Sequence, residues 1–270
     1  GVQTCALPIF NISTATALVV AAAGLPVAKH GNRAVSSRTG SGDVLEALGV
    51  RIDASPAVAA RCLREIGICF CLAPVHHPAM AVVGPLRRSL GRPTVFNLVG
   101  PLCNPAGANV QVIGVGRPAV RAAVAEAAHA LGVERVLVVS GTVAGDDRRD
   151  FDEISLFGPT DVIDVSAAGT ARRRWSPEDF GLATLPAERM ADLAVDGPSR
   201  SAAVIRAVLA GERGACRDIV VLNAAAVLWA AGKADDLRAA RALAESAIDS
   251  GAAAARLERL ATLSHEPASA

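Results

Sequence analysis

Lys29–Gly49 reads KHGNRAVSSRTGSGDVLEALG. Its first fourteen residues, Lys29 to Gly42, hold one Lys, one His, one Asn, two Arg, three Ser, one Thr and three Gly. The run follows LPVAK, which reads as a short strand, and passes into an acidic, apolar helix start. In open α/β sheets ligands bind beyond the carboxyl ends of strands. A plain solvated turn does not need this much donor chemistry. Lys and Arg supply positive charge, and Arg adds a planar fork for phosphate oxygens. Ser hydroxyls and Gly-exposed N–H groups complete an anion nest, and the following helix adds its positive N-terminus. The run therefore points to a phosphorylated, multiply anionic ligand.

Working outward, helix and strand signals alternate. Ser13 or Thr14 is placed to cap a helix running to about Ala23, where Gly24 and Pro26 end it. Asp43-Val-Leu-Glu46 resembles a capping box. VRIDA (50–54) reads as a possible strand, and Ser55-Pro56 opens the next helix. Ile68–Ala73 reads as a strand, Pro78–Leu90 as a helix, Gln111–Gly116 as a strand and Pro118–Leu131 as a helix. Arg135–Ser140 is apolar on both faces, as a buried parallel strand is. Residues 141–150 read as a polar loop. Asp161–Val165 and Ala171–Trp175 flank a turn and read as an antiparallel hairpin. From Pro198 onward the pattern is helical, and the last residues, SHEPASA, read as frayed. The expected fold is α/β, a mostly parallel sheet flanked by helices.

Composition bounds the function. The chain has 270 residues, 51% of them apolar, with no Tyr. That length is enough for a sizeable core, built from many small side chains. The formal net charge of +1 gives no sign of bulk nucleic-acid affinity. The basic clusters Arg87-Arg88, Arg148-Arg149 and Arg172–Arg174 read as solvated faces. The six cysteines, Cys5, Cys62, Cys69, Cys71, Cys103 and Cys216, form no CxxC pair. Cys69 and Cys71 fall on one face of an apolar strand and read as buried thiols, which fits a reducing cytoplasm. Thr16–Ala28 is apolar but too short to span a bilayer.

The KHGNR–SS–GS–D–LEALG run resembles the central signature of the anthranilate phosphoribosyltransferases. FNISTA (10–15), HHPAM (76–80), FNLVGPLCNPA (96–106), FDEISLFGPT (151–160) and PEDFGL (177–182) resemble the same family in the same order. The resemblance covers roughly residues 10–260. It implies a phosphoribosyl-binding α/β domain over 10–262, with 78–104 contributing to a smaller helical subdomain and 263–270 as a tail. It also implies the activity: transfer of a phosphoribosyl group from phosphoribosyl pyrophosphate to anthranilate in tryptophan biosynthesis, with Mg2+, in the cytoplasm, by a homodimer.

Residue by residue, the resemblance places Gly1, Asn11, Ile12, Ser13, Thr14, Lys29, His30, Gly31, Asn32, Arg33, Ser36, Ser37 and Ser41 on phosphoribosyl pyrophosphate. His30 could equally line the site or orient the loop. For Asn11, Ser13 and Thr14 an ordinary cap cluster reads as well, and both roles can hold together. Anthranilate contacts are implied for Asn32, Arg87 and His77, with Arg87 gripping the carboxylate through two parallel hydrogen bonds. Adjacent carboxylates such as Asp152-Glu153 are ordinarily surface charge. Matched to the family's metal-binding pair, they imply Mg2+, with Ser13 as a third contact; Mg2+ prefers oxygen ligands and keeps several waters. The charged insert ahead of them, with Asp146, Asp147 and Asp150, departs from the family's tighter glycine turn and reads as solvated.

Residues 1–9, GVQTCALPI, lack the glycine-rich phosphate loop that the family carries before FNIST. The expectation is an N-terminally truncated copy whose activity is impaired by loss of that loop. Two other functions stay open: a pyrimidine nucleoside phosphorylase-like enzyme, which shares the fold, and a non-catalytic relative that binds nucleic acid. Phosphorolysis of thymidine or uridine tests the first, and salt-dependent binding of single-stranded DNA tests the second.

Overall fold

The computed structural model describes residues 9–34, 40–79 and 99–267, with backbone alone at 146–150. Helix α1, Ile12–Ala22, is buried nearly all round, which marks a central helix rather than a surface one. Its cap is Asn11, not Ser13 or Thr14. The Asn11 Oδ1 accepts from the backbone N–H of Thr14 at 3.0 Å and from the Thr14 hydroxyl at 2.5 Å. Gly24 ends the helix in the left-handed region, at φ +86°.

Strand β1, Val27–Gly31, pairs in parallel with β2, Ile68–Leu72, placing Lys29 opposite Phe70. Helices α2, Ser41–Ala47, and α3, Pro56–Ile66, lie between them in the chain. Ser55 caps α3 and Gly67 closes it at φ +67°. Residues 50–54 are not the strand their composition suggests. Gly49 turns the chain at φ +92°, and the Arg51 N–H donates to the Ser264 hydroxyl at 2.9 Å instead of to a strand. All of β2 is buried, and the short helix α4, Ala73–His76, follows it. Cys69 and Cys71 share a face, their sulfurs 3.9 Å apart.

A second sheet has the order β3-β4-β6-β7. Strand β3, Val110–Gly114, runs parallel to β4, Arg135–Val143, with helix α5, Arg121–Ala130, crossing between them. The expected parallel strand at Arg135 is buried, but β3 is its one parallel neighbour. Antiparallel to β4 run β5, Asp146–Phe151, and β6, Thr160–Ser166. Strand β7, Gly169–Trp175, completes the expected hairpin with β6. Alternation along β4 sends Leu137 and Val139 into the main core and Val136 and Val138 into a smaller core under α5. Residues 141–150 are therefore not a loop. Strand β4 continues to Val143, its Thr142 and Ala144 N–H groups donate to Pro159 and Phe157, and Gly145 makes the turn at φ +78°.

Four helices finish the chain: α6, Pro198–Leu209; α7, Ala215–Ala230; α8, Leu237–Asp249; and α9, Ala252–Leu263. Helix α7 is mostly buried and packs on α1 and α8. The tail expected to fray is held as far as Pro267. Ser264 is buried, and Arg61 donates to the Pro267 carbonyl and pairs with Glu266 at 2.9 Å. The fold is thus α/β, with parallel pairs extended by antiparallel strands. Of the expected helical subdomain, residues 80–98 lie outside the described residues; Gly100–Leu102 forms one short turn. Among the described residues no helix is long and apolar enough to cross a membrane.

Candidate active site

The start of α1 and the middle of β1 meet through side chains. Lys29 Nζ donates to the Ser13 hydroxyl at 3.1 Å, and that hydroxyl donates to Asn11 Oδ1 at 3.3 Å. The N–H of Asn11 donates to Ser201 at 3.0 Å. Ser201 is fully buried, so the cap is anchored from α6. Burial lowers the Lys29 ammonium to about 8, against the attraction of Glu153. Thr14 and Ile12 are each only 1% exposed. Their side chains serve the cap and the core.

Asp152 and Glu153 follow β5. Burial, then the like charge of Asp152, pushes the Glu153 carboxyl up to about 8, against the attraction of Lys29. Lys29 thus links the α1 cap, through its hydrogen bond to Ser13, with the segment after β5, through its attraction to Glu153. The backbone beside the pair is held from the core. Ile154 N–H donates to Asn223 Oδ1 at 3.0 Å, and Asn223 Nδ2 donates back to the Ile154 carbonyl at 3.0 Å. Two glycines give the turn its room. A Cβ on Gly114 would lie 1.6 Å from the Asp152 carbonyl oxygen, and one on Gly141 would lie 2.5 Å from that of Glu153. Asn223, Gly114 and Gly141 escaped the sequence reading. Glycine inside a strand and asparagine inside an apolar helix were the available signals.

The donor set suits a hard cation. The two carboxylates and the Ser13 hydroxyl offer oxygen ligands, with Asp152 and Ser13 exposed to solvent. Among the described residues no three of His, Cys, Asp and Glu group around one metal position. Oxygen donors of this kind suit an ion that keeps several waters and takes ligand phosphates.

Beyond β1 the loop is clasped at both ends by Asp43. Its Oδ2 accepts from Ala34 N–H at 2.8 Å and Gly40 N–H at 3.1 Å. The expected capping box is therefore shifted: the reach-back comes from Asp43 to Gly40, while Glu46 pairs with Arg33. That guanidinium donates to Glu46 at 2.7 and 2.8 Å and to Asp43 at 3.3 Å, and both carboxylates hold it further in its charged form. Arg33, expected on phosphate, is thus turned to α2. Asn32 caps its own loop: its Oδ1 accepts from Arg33 N–H at 2.8 Å, and its carbonyl accepts from Gly42 N–H at 3.1 Å. A Cβ on Gly31 would meet the Ser41 hydroxyl at 2.2 Å, so that hydroxyl would have to turn away.

His30 and His77 meet edge to face, centroids 5.0 Å apart. Burial first, then His77, lowers the His30 pKa, while a hydrogen bond to the Gly100 backbone raises it. The Nε2 atoms of His30, His76 and His77 are buried without a hydrogen-bond partner among the described residues. Asn104 of the NPA motif ties this side to β1, donating to the Ala28 carbonyl at 2.8 Å. Gly1, Ser36, Ser37 and Arg87 lie outside the described residues, as do the side chains of Asp146, Asp147 and Asp150.

Residues 6–254 match the glycosyl transferase family, a/b domain. The chain is 51% identical over 264 residues to the anthranilate phosphoribosyltransferase of Thermomicrobium roseum, covering 97% of this chain and 73% of that one. The chain belongs to the anthranilate phosphoribosyltransferase family. The Moorella thermoacetica member is 49% identical over 251 residues, which are 93% of this chain and 71% of the relative. The crystal structure of the Thermus thermophilus family member superposes with a TM-score of 0.85 at 45% identity, over 96% of this chain and 74% of that one. The Saccharomyces cerevisiae enzyme in complex with PRPP and Mg gives a TM-score of 0.83 at 28% identity, over 96% and 70%. The family match includes Ala6–Ile9, ahead of the first motif at Phe10.

Proposed function

We propose that this chain transfers the phosphoribosyl group of phosphoribosyl pyrophosphate to the amine of anthranilate. One observation carries the assignment: Lys29 of β1, hydrogen-bonded to Ser13 of α1, also attracts Glu153 after β5. The relatives' shared name supports the substrates. In the reaction the bond from C1 to the pyrophosphate oxygen breaks and its electron pair leaves on pyrophosphate. The amine lone pair forms the C1–N bond, and the surplus amine proton passes to solvent or to the released pyrophosphate. The arylamine is already neutral, so positioning and electrostatics suffice.

Lys29 and the α1 cap, Asn11 and Ser13, hold the donor's phosphates and sugar. Asn32, Ser41 and the Gly31–Gly42 crossing shape the loop over it. Ser36, Ser37 and Gly1 are proposed to add donors. Asp152 and Glu153, with Ser13, would hold Mg2+, which neutralises charge gathering on the pyrophosphate. Arg87, Asn32 and His77 would take the acceptor, with Arg87 on its carboxylate. Free thiols at Cys62, Cys69 and Cys71 support a reducing cytoplasm. The homodimer that the resemblance implies is tested by sedimentation.

The test is loss of anthranilate fluorescence with phosphoribosyl pyrophosphate and Mg2+, paired with calorimetric titration of the donor. Binding of the donor with Mg2+ and formation of phosphoribosylanthranilate support the reading. Neither event at millimolar donor overturns it. Phosphorolysis of uridine or tight binding of single-stranded DNA would move the chain to one of the two other readings.

A further inference from the structure

The mechanism above uses Asp152 and Glu153 but not what fixes them. Asn223 stands in the middle of α7, 3% exposed, within VVLNAAAV. Its carboxamide works as a peptide group would. The Oδ1 accepts from Ile154 N–H, and Nδ2 donates to the carbonyls of Ile154 and, at 2.9 Å, Ile219. The Ile154 peptide groups are thereby satisfied by a side chain where a neighbouring strand would ordinarily do it. Across the turn, Gly141 leaves no slack: an added Cβ would meet the Glu153 carbonyl at 2.5 Å and the Ser155 Cβ at 2.9 Å. The segment after β5 is held on one side by an amide and limited on the other by missing side chains.

We propose that Asn223 is a positioning residue: by clasping both backbone groups of Ile154 against the space left by Gly141, it sets where Asp152 and Glu153 present their carboxylates. The inference rests on the proposed function for its ligand. It concerns only this chain's own geometry toward a cation. Asn223 reaches the site through Ile154 and touches no reacting atom. Leucine at 223 keeps the volume and removes both halves of the clasp, so the carboxylates lose their fixed spacing while Lys29, Ser13 and the loop beyond β1 remain.

The experiment measures Mn2+ binding to the whole chain by electron paramagnetic resonance, with and without phosphoribosyl pyrophosphate, for wild type, Asn223→Leu and Gly141→Ala. Melting curves run alongside. Asp249→Ala serves as a stability control, since Asp249 of α8 is the partner of Arg217, which is buried on the same helix as Asn223. The expected result is at least tenfold weaker Mn2+ binding in both site variants and unchanged Mn2+ binding in Asp249→Ala at a similar loss of melting temperature. Wild-type affinity in a folded Asn223→Leu overturns the proposal. If that variant fails to fold, Gly141→Ala decides, because it displaces Glu153 from the far side without touching Asn223. Wild-type affinity there overturns the proposal equally. Absence of Mn2+ binding in the wild type, by contrast, removes the metal reading itself.

Discussion

The Asp152 carbonyl oxygen occupies the space where a side chain on Gly114 would begin, 1.6 Å from the position of its Cβ. The end of β3 and the turn after β5 therefore touch backbone to backbone. Gly114→Ala forces the carboxylate pair away from Lys29 or forces β3 away from β4. Overpacking of this kind costs about 1–3 kcal/mol. Gly116 offers a control two residues on, where a Cβ would rest 3.8 Å from that of Asp152. Gly114→Ala is expected to lower the melting temperature and abolish donor binding, and Gly116→Ala to do neither. Equal behaviour of the two would remove the close approach as the reason.

Lys29 attracts Glu153. Lys29→Met removes that attraction and the hydrogen bond to Ser13. The Glu153 carboxyl should then titrate above about 8, visible by carbon-13 NMR of the labelled carboxyl. A charge-assisted contact to phosphate is worth about 1.5–3 kcal/mol, so calorimetry should show roughly 10- to 100-fold weaker binding of phosphoribosyl pyrophosphate. Unchanged affinity would separate Lys29 from the phosphate site.

The same pair makes stability depend on pH. Folding raises the Glu153 carboxyl from 4.5 to about 8. Between those values the folded chain keeps a proton that the unfolded chain releases, so this group's stability falls as pH rises. Lys29 is lowered from 10.5 to about 8. Above about 8 the unfolded chain keeps the proton, so its contribution rises with pH. Together they place a local minimum near pH 8. Glu153→Gln removes the first limb. It should raise stability by about 1–3 kcal/mol at pH 8, allowing for water access and the lost attraction to Lys29, and change little at pH 4.5. Chemical denaturation at the two pH values measures the difference. A loss at pH 8 would mean that the carboxylate contributes to the fold.

Much of this was legible beforehand because the signals were local. The α/β alternation, the buried face shared by Cys69 and Cys71, the hairpin of β6 and β7 and the start of α3 at Ser55-Pro56 all follow from periodicity and caps. Strand β5 was hidden because DDRRDF carries charge rather than apolar alternation. It exists because Gly145 turns the chain back onto the end of β4. Residues 50–54 have strand composition but no strand beside them, and pairing with Ser264, over two hundred positions away, is not a local signal. The site followed the same division. The donor-rich run at Lys29 is a local signal and Asp152-Glu153 stood out only through the family resemblance, whereas Asn223 and Gly114 matter only through what they approach. Arg33 stays ambiguous because a guanidinium suits Glu46 as well as it suits phosphate.

That last ambiguity can be decided by the sign of an effect. Arg33 forms two parallel hydrogen bonds with Glu46, at 2.7 and 2.8 Å, and reaches Asp43 as well. Asp43 in turn clasps Ala34 and Gly40, so Arg33 belongs to the staple that closes the loop onto α2. Glu46→Ala frees the guanidinium. If Arg33 staples, the freed loop is less ordered and phosphoribosyl pyrophosphate binds more weakly, because the ordering must then be supplied on binding. If Arg33 is a phosphate ligand held in check, its release tightens binding instead. The geometry favours the staple, and the expected outcome is weaker binding with an unchanged Mn2+ affinity, since Asp152, Glu153 and Ser13 take no part in the clasp. A titration of phosphoribosyl pyrophosphate into Glu46→Ala that shows tighter binding would return Arg33 to the phosphates.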